Sequence, residues 1–194
     1  MDKEKPKLYY AAWWRRFAAF WIDYFLLSPL MYILIRIAST SPRLYAVILI
    51  PFCAIFIGYF IFCHGRWGRT LGKLVTGTRV TALDGSHISW KQAFLRNTVD
   101  IVLNIFTWFA LIPIYLNIPI EGYADLTTQM RFNLIESMWP TWYSFVDVTG
   151  QVWVWSEFVV ILLNKRRRAL HDFIAGTIVI QKTPTRRQAI DEDT

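Results

Sequence analysis

Charge is scarce in this chain. Lys, Arg, Asp and Glu together make up 18% of its residues, against roughly a quarter in soluble domains, while 55% are hydrophobic and 17% aromatic. That balance excludes an ordinary soluble globule and selects lipid as the solvent. Cysteine is equally sparse. Cys53 and Cys63 share one apolar stretch, ten residues apart, where a single helix keeps them from bridging. With no disulfide framework, the fold must rest on helix packing. The three histidines, His64, His87 and His171, lack metal-ligand spacing, and the chain has neither a phosphate-binding glycine loop nor a Ser or Cys nucleophile motif. The expectation is a protein that is not an enzyme, has no catalytic residues, and binds no cofactor or metal.

What the chain has in quantity is apolar sequence interrupted by basic residues. Crossing a bilayer core of about 30 Å takes roughly twenty helical residues, and four stretches qualify: 17–35, 44–63, 97–118 and 143–163. The first contains Asp23; the second contains no charge; the third contains Asp100, Asn104 and Pro113; the fourth contains Asp147 and Glu157. The expected fold is thus an all-α polytopic membrane protein with about four transmembrane helices. Residues 1–16 precede the membrane domain as a cytoplasmic segment, 17–182 form that domain, and 183–194 read as a disordered tail. The opening stretch is too long for a signal-peptide core and no A-x-A cleavage site follows it, so it reads as an uncleaved first span.

The net charge of +7 does not indicate nucleic acid, because the basic residues flank apolar runs instead of gathering on one soluble surface. They set orientation. In a four-span arrangement eighteen of the 21 Lys and Arg residues fall on one side, and only Arg36, Arg43 and Arg131 belong near the other. Basic residues are retained in the cytoplasm, so both termini are expected inside, in the cytoplasmic (inner) membrane of a bacterium. Trp13, Trp14, Trp67, Trp90, Trp139 and Trp142 lie near the expected helix ends, at headgroup level.

Between the second and third spans the pattern changes. Gly77-Thr78-Arg79-Val80-Thr81 is followed by Asp84-Gly85, a hairpin signal, and a second Gly-Thr with β-branched residues appears at 176–180. These runs are expected to pair as a small cytoplasmic β element. In the outer segment 120–142, Leu126, Met130, Leu134 and Met138 recur every four residues beside Ile135, which makes one apolar helix face. That face is expected to lie along the membrane surface, with a cap over the outer helix ends as the alternative.

Charges at membrane depth are costly and face protein or water. Asp23 shares a helix face with Arg16, but the two are separated by about 10 Å along the axis, so a direct ion pair is not expected and another cation is expected to serve Asp23. Arg96, Asp100, Asn104 and Thr107 form a narrow polar stripe. Asp23, Asp100, Asn104 and Glu157 are therefore candidates for an ion path, with structural pairing between helices as the competing reading. Arg166, Arg167 and Arg168 read first as an orientation signal and second as a site for anionic lipid headgroups.

Three segments together resemble the RDD family of small membrane proteins. They are Arg16-Phe-Ala-Ala-Phe-Trp-Ile-Asp23; Gly68-Arg-Thr-Leu-Gly-Lys73 with Gly77, Val80, Asp84-Gly85 and Arg96; and Arg168-Ala-Leu-His-Asp172-Phe-Ile-Ala-Gly-Thr177. The resemblance makes Arg16, Asp23 and Asp172 the residues for which the family is named. It implies transport of a small solute or monovalent cation, in some members by cation/proton antiport, or alternatively a non-transporting scaffold or assembly factor of a membrane complex. The implied partners are the lipid bilayer, a monovalent cation or proton, and either a second copy of the chain or a membrane-complex subunit. The long outer segment departs from the family pattern and suggests a specialised partner.

Overall fold

The computed structural model describes residues 8–181; the expected termini, including the tail at 183–194, lie largely outside them. Four long helices carry the apolar stretches: α1 (Trp13–Thr40), α2 (Pro42–Trp67), α5 (Thr98–Asn117) and α7 (Tyr143–Leu163). Each is long and apolar enough to cross a membrane. The first two extend beyond their apolar windows. Pro42 sits at the first position of α2, where its missing N–H costs nothing and its fixed φ suits a helix start.

The remaining elements are short: α3 (Leu71–Val75), β1 (Thr78–Ala82), α4 (Trp90–Leu95), α6 (Thr128–Ser137), α8 (Leu170–Ala175) and β2 (Thr177–Gln181). Their ends are set by local chemistry. Ser89 and Gln92 form a reciprocal capping box at the start of α4, and Gly176 closes α8 in the left-handed conformation, at φ 63°.

The described chain forms two compact units. One comprises the described residues up to Phe25, Tyr59–Thr98 and the residues from Val154 onward; the other comprises Leu26–Gly58 and Val99–Trp153.

The first unit is organised around the small sheet. β1 and β2 run antiparallel with Val80 opposite Val179, and Tyr10 bridges to Ile180 on the other side of β2. Two backbone bonds of 2.9 Å, Ala11 N–H to Val179 O and Gln181 N–H to Tyr9 O, fasten the approach to α1 onto that strand. Val80 and Val179 pack with Ala11, Ile88 and Ala93, against Ile61 of α2. Fully burying each of the larger side chains contributes about 1.5–3 kcal/mol. The paired strands expected at 77–81 and 176–180 are present, but Asp84-Gly85 does not form a hairpin between neighbours. Asp84 Oδ1 accepts hydrogen bonds from both the backbone and the hydroxyl of Ser86, turning the chain toward the α4 cap at Ser89 and leaving β1 to pair with the distant β2.

In the second unit the outer segment is packed against helices. Ala46, Ile114, Tyr115, Ile118 and Tyr123 form a buried cluster, with Leu126, Leu134, Ile135, Met138 and Trp139 against it. Tyr123 donates to Ala38 O at 3.2 Å, and Arg131 donates to Ser39 O at 3.2 Å, capping carbonyls at the end of α1. The expectation of a helix lying on the membrane surface therefore gives way to the cap. Met130, on the same sequence pattern, remains exposed.

Candidate functional site

The polar centre of the first unit is built on Asp172. As the third residue of α8 it turns back to accept the Ala169 N–H at 2.9 Å, an N-terminal capping role open to any carboxylate at this position. Two of its other contacts, with Arg16 and Arg96, are long-range. Arg16, in the opening turns of α1, donates to Oδ2 at 2.7 Å; Arg96, at the end of α4, donates to Oδ1; and Thr177 Oγ1 donates to Oδ1 at 3.2 Å. Asp172 is wholly buried. Burial alone would raise its pKa, but the adjacent Arg16 and Arg96 guanidiniums outweigh it and hold the carboxyl well below its usual range. A carboxylate held in its ionised form by two arginines thus joins α1, α4, α8 and β2. Arg16 also donates to Arg167 O at 2.6 Å.

His171 and Glu157 extend this network. Arginine has donors only, so the 2.6 Å contact between Arg96 Nη2 and His171 Nε2 makes that ring nitrogen an acceptor. The ring proton then resides on Nδ1, which is paired with Glu157 Oε2, while Glu157 Oε1 accepts the His171 backbone N–H at 3.2 Å. Both side chains retain some solvent access, 24% for His171 and 13% for Glu157.

Asp23 occupies a second polar cluster in the same unit. Its carboxylate accepts from Thr70 Oγ1 at 2.5 Å, Gly72 N–H at 2.8 Å and Tyr59 OH at 3.2 Å. Thr70 is also the N-cap of α3, accepting the Lys73 N–H at 3.3 Å. One hydroxyl therefore starts α3 and ties it to α1. Gly72 is required here: a Cβ at this position would lie 2.1 Å from Ala19 O and 2.9 Å from the Asp23 carboxylate. Lys73 is partly buried nearby; its burial, reinforced by the Arg96 charge and opposed by Asp23, lowers its pKa to about 8.

Of the residues singled out by sequence, Arg16 and Asp172 meet directly. Asp23 is held by hydrogen bonds from the Tyr59 and Thr70 hydroxyls and the Gly72 N–H in place of the cation expected for it, and Arg96 is held by Asp172, Thr177 and His171. The four candidate path residues fall in different units, Asp23 and Glu157 in the first, Asp100 and Asn104 in the second. Asp100 Oδ1 accepts from Trp153 Nε1 at 3.1 Å, and Asn104 donates back to Asp100 O at 2.8 Å. Among the arginines at 166–168, Arg168 turns inward, donating to Thr177 O and Asp172 O and lying over the Phe173 ring, whereas Arg166 is exposed. Sequence reasoning had no signal for Tyr59 or for buried His64, whose ring nitrogens make no hydrogen bond among the described residues. Among those residues no three His, Cys, Asp or Glu side chains gather as a metal site.

The RDD family profile matches residues 10–176, a stretch that contains every member of both clusters except Thr177. The chain belongs to the RDD family. No curated protein and no solved structure matches it. In this RDD protein Arg16 and Asp172 are joined in one network, and Asp23 anchors α3.

Proposed function

We propose that this RDD protein is a non-enzymatic, non-transporting scaffold or assembly factor of a membrane complex, set in a bacterial cytoplasmic membrane with both termini inside. The observation that carries this reading is the engagement of all three named charges with internal partners. Asp172 is neutralised by two guanidiniums, and Asp23 already accepts three hydrogen bonds. A monovalent cation at Asp23 would have to share a carboxylate that already accepts three hydrogen bonds and tolerate the nearby Lys73 charge. Carboxylates used in this way build a rigid platform.

Cation/proton antiport is the second reading, favoured by one observation: the Glu157 carboxylate and the His171 ring are in direct contact and keep some solvent access on the C-terminal half of α7. Reconstitution separates the two. Proteoliposomes containing the purified chain are expected to show no sodium-, potassium- or lithium-driven proton movement above empty vesicles. Movement that disappears in folded Glu157→Gln or Asp23→Asn variants would overturn the scaffold reading and assign transport.

A further inference from the structure

Outside its portions of the long helices, the first unit has an exposed surface that is poorly suited to water. The short helices bury small or polar residues, Gly72 on α3, Ala93 on α4, and Asp172 with Ala175 on α8, and turn large apolar ones outward. Val75 is 72% exposed and Trp90 53%, with Leu74, Phe94, Phe173 and Ile174 all exposed. Three short helices, each with its apolar side outward, resemble elements whose other half of the packing is supplied by the surroundings.

Two observations identify those surroundings as lipid. First, the apolar surface is continuous with the outer faces of the long helices. Trp90 packs beside Phe62 of α2, ring centroids 6.1 Å apart, and Phe62 meets Trp67 at 5.3 Å, so an exposed aromatic cluster runs from α2 onto α4. α3 is fixed to α1 at Asp23, nine residues beyond Trp14, which is about 13 Å along an untilted axis from an aromatic of the kind that marks the headgroup level. That is somewhat deeper than the roughly 5–10 Å to which interfacial helices bury their apolar faces, and it places the outward side of α3 at acyl-chain depth instead of in water. Second, the exposed charge is of one sign. Among the described residues of this unit, Arg66, Arg79, Lys91, Lys165 and Arg166 are exposed, against Asp84 as the one exposed acid.

We propose that α3, α4 and α8 form a collar of interfacial helices immersed in the surrounding bilayer, and that the exposed basic residues beside them select anionic phospholipid headgroups. The apolar faces supply depth and the arginines and lysines supply selectivity, the two contributions that together hold amphipathic helices at an anionic membrane. This surface is separate from the buried charge network, and its role does not depend on whether the chain transports anything.

The test uses the full chain, with Cys53→Ala and Cys63→Ala, reconstituted in vesicles of phosphatidylcholine with phosphatidylglycerol. Nitroxide labels are placed at Val75→Cys, Ile174→Cys and, as a water-facing reference in the turn after β1, Ser86→Cys. Labels at 75 and 174 are expected to collide with oxygen severalfold more, relative to a water-soluble nickel relaxant, than the label at 86. A water-like ratio at 75 and 174 would overturn immersion, as would labels shielded from both relaxants, which would assign the face to a protein partner. Selectivity is read as the ratio of phosphatidylglycerol to phosphatidylcholine retained on the purified chain. Replacing Arg66, Lys91 and Arg166 by Gln is expected to lower that ratio by about fivefold per charge at low salt. An unchanged ratio in a variant of native circular dichroism would overturn the headgroup assignment.

Discussion

Arg16 and Asp172 are 156 positions apart in the chain, yet Arg16 Nη2 lies 2.7 Å from Asp172 Oδ2, and the carboxylate is wholly shielded from solvent. That contact closes the first unit, because α1 enters near the start of the described chain and α8 stands near its end. With Arg96 on the second carboxylate oxygen, Asp172 is the counter-ion of two buried cations at once.

Asp172→Asn should therefore destabilise more than a typical buried hydrogen-bond deletion. Removing the charge leaves two guanidiniums buried without compensation, a situation that costs about 3–5 kcal/mol. A large loss of thermal stability in detergent is expected, with a smaller further loss when Arg16→Gln is added, since the two side chains are coupled. The pH dependence has a defined sign. A carboxyl whose folded pKa is depressed contributes fully above its unfolded value of about 4, and the contribution is lost as pH falls through the folded value. Wild type should thus lose the Asp172 contribution only in strong acid, and the difference from Asp172→Asn should narrow there.

Gly72→Ala tests the junction of α3 with α1. The added Cβ would meet a backbone carbonyl, Ala19 O, at 2.1 Å, and the helix backbone cannot swing aside as a side chain would. Overpacking of this kind costs about 1–3 kcal/mol, and separation of α3 from Asp23 should follow. Hydrogen exchange at residues 70–75 would register it as faster exchange, with exchange in α6 unchanged.

Lys73 yields a prediction of opposite pH sense. Its folded pKa of about 8 lies below the ordinary 10.5, first because of burial and then because of the Arg96 charge. Between those two values the unfolded chain binds more protons than the folded one, so stability rises with pH in that interval. Below about pH 8 the ammonium is charged in both states and its burial penalty is fully present. The thermal midpoint of wild type relative to Lys73→Met should climb between pH 8 and 10; a flat difference would show that the amine titrates normally.

The architecture was legible in the sequence because its determinants are local and repetitive: long apolar runs and two Gly-Thr β segments. The motif charges were legible as residues but not as partners. Helical spacing relates Arg16 to Asp23 and Arg96 to Asp100, whereas the actual partners of Arg16 and Arg96 meet at Asp172, through the pairing of β1 with β2 and the packing of the short helices. Tyr59 was invisible because a tyrosine in an apolar span has no pattern that reveals its hydroxyl serving a carboxylate. In the outer segment the four-residue repeat located an apolar face, but periodicity carries no information on whether lipid or protein covers it.

That last distinction can be measured in the second unit. Ile118 is 1% exposed at the centre of the cluster beneath α6, so Ile118→Ala should leave a cavity costing about 2–5 kcal/mol. Tyr123→Phe removes the hydroxyl donated to Ala38 O, worth about 1 kcal/mol. Met130 is exposed on α6, and Met130→Ala should change stability by no more than about 0.5 kcal/mol. Thermal unfolding of the three variants in one detergent should give that order. A Met130→Ala effect as large as that of Ile118→Ala would mean that α6 buries the opposite face, as a helix lying on the membrane would not require but a differently docked cap would.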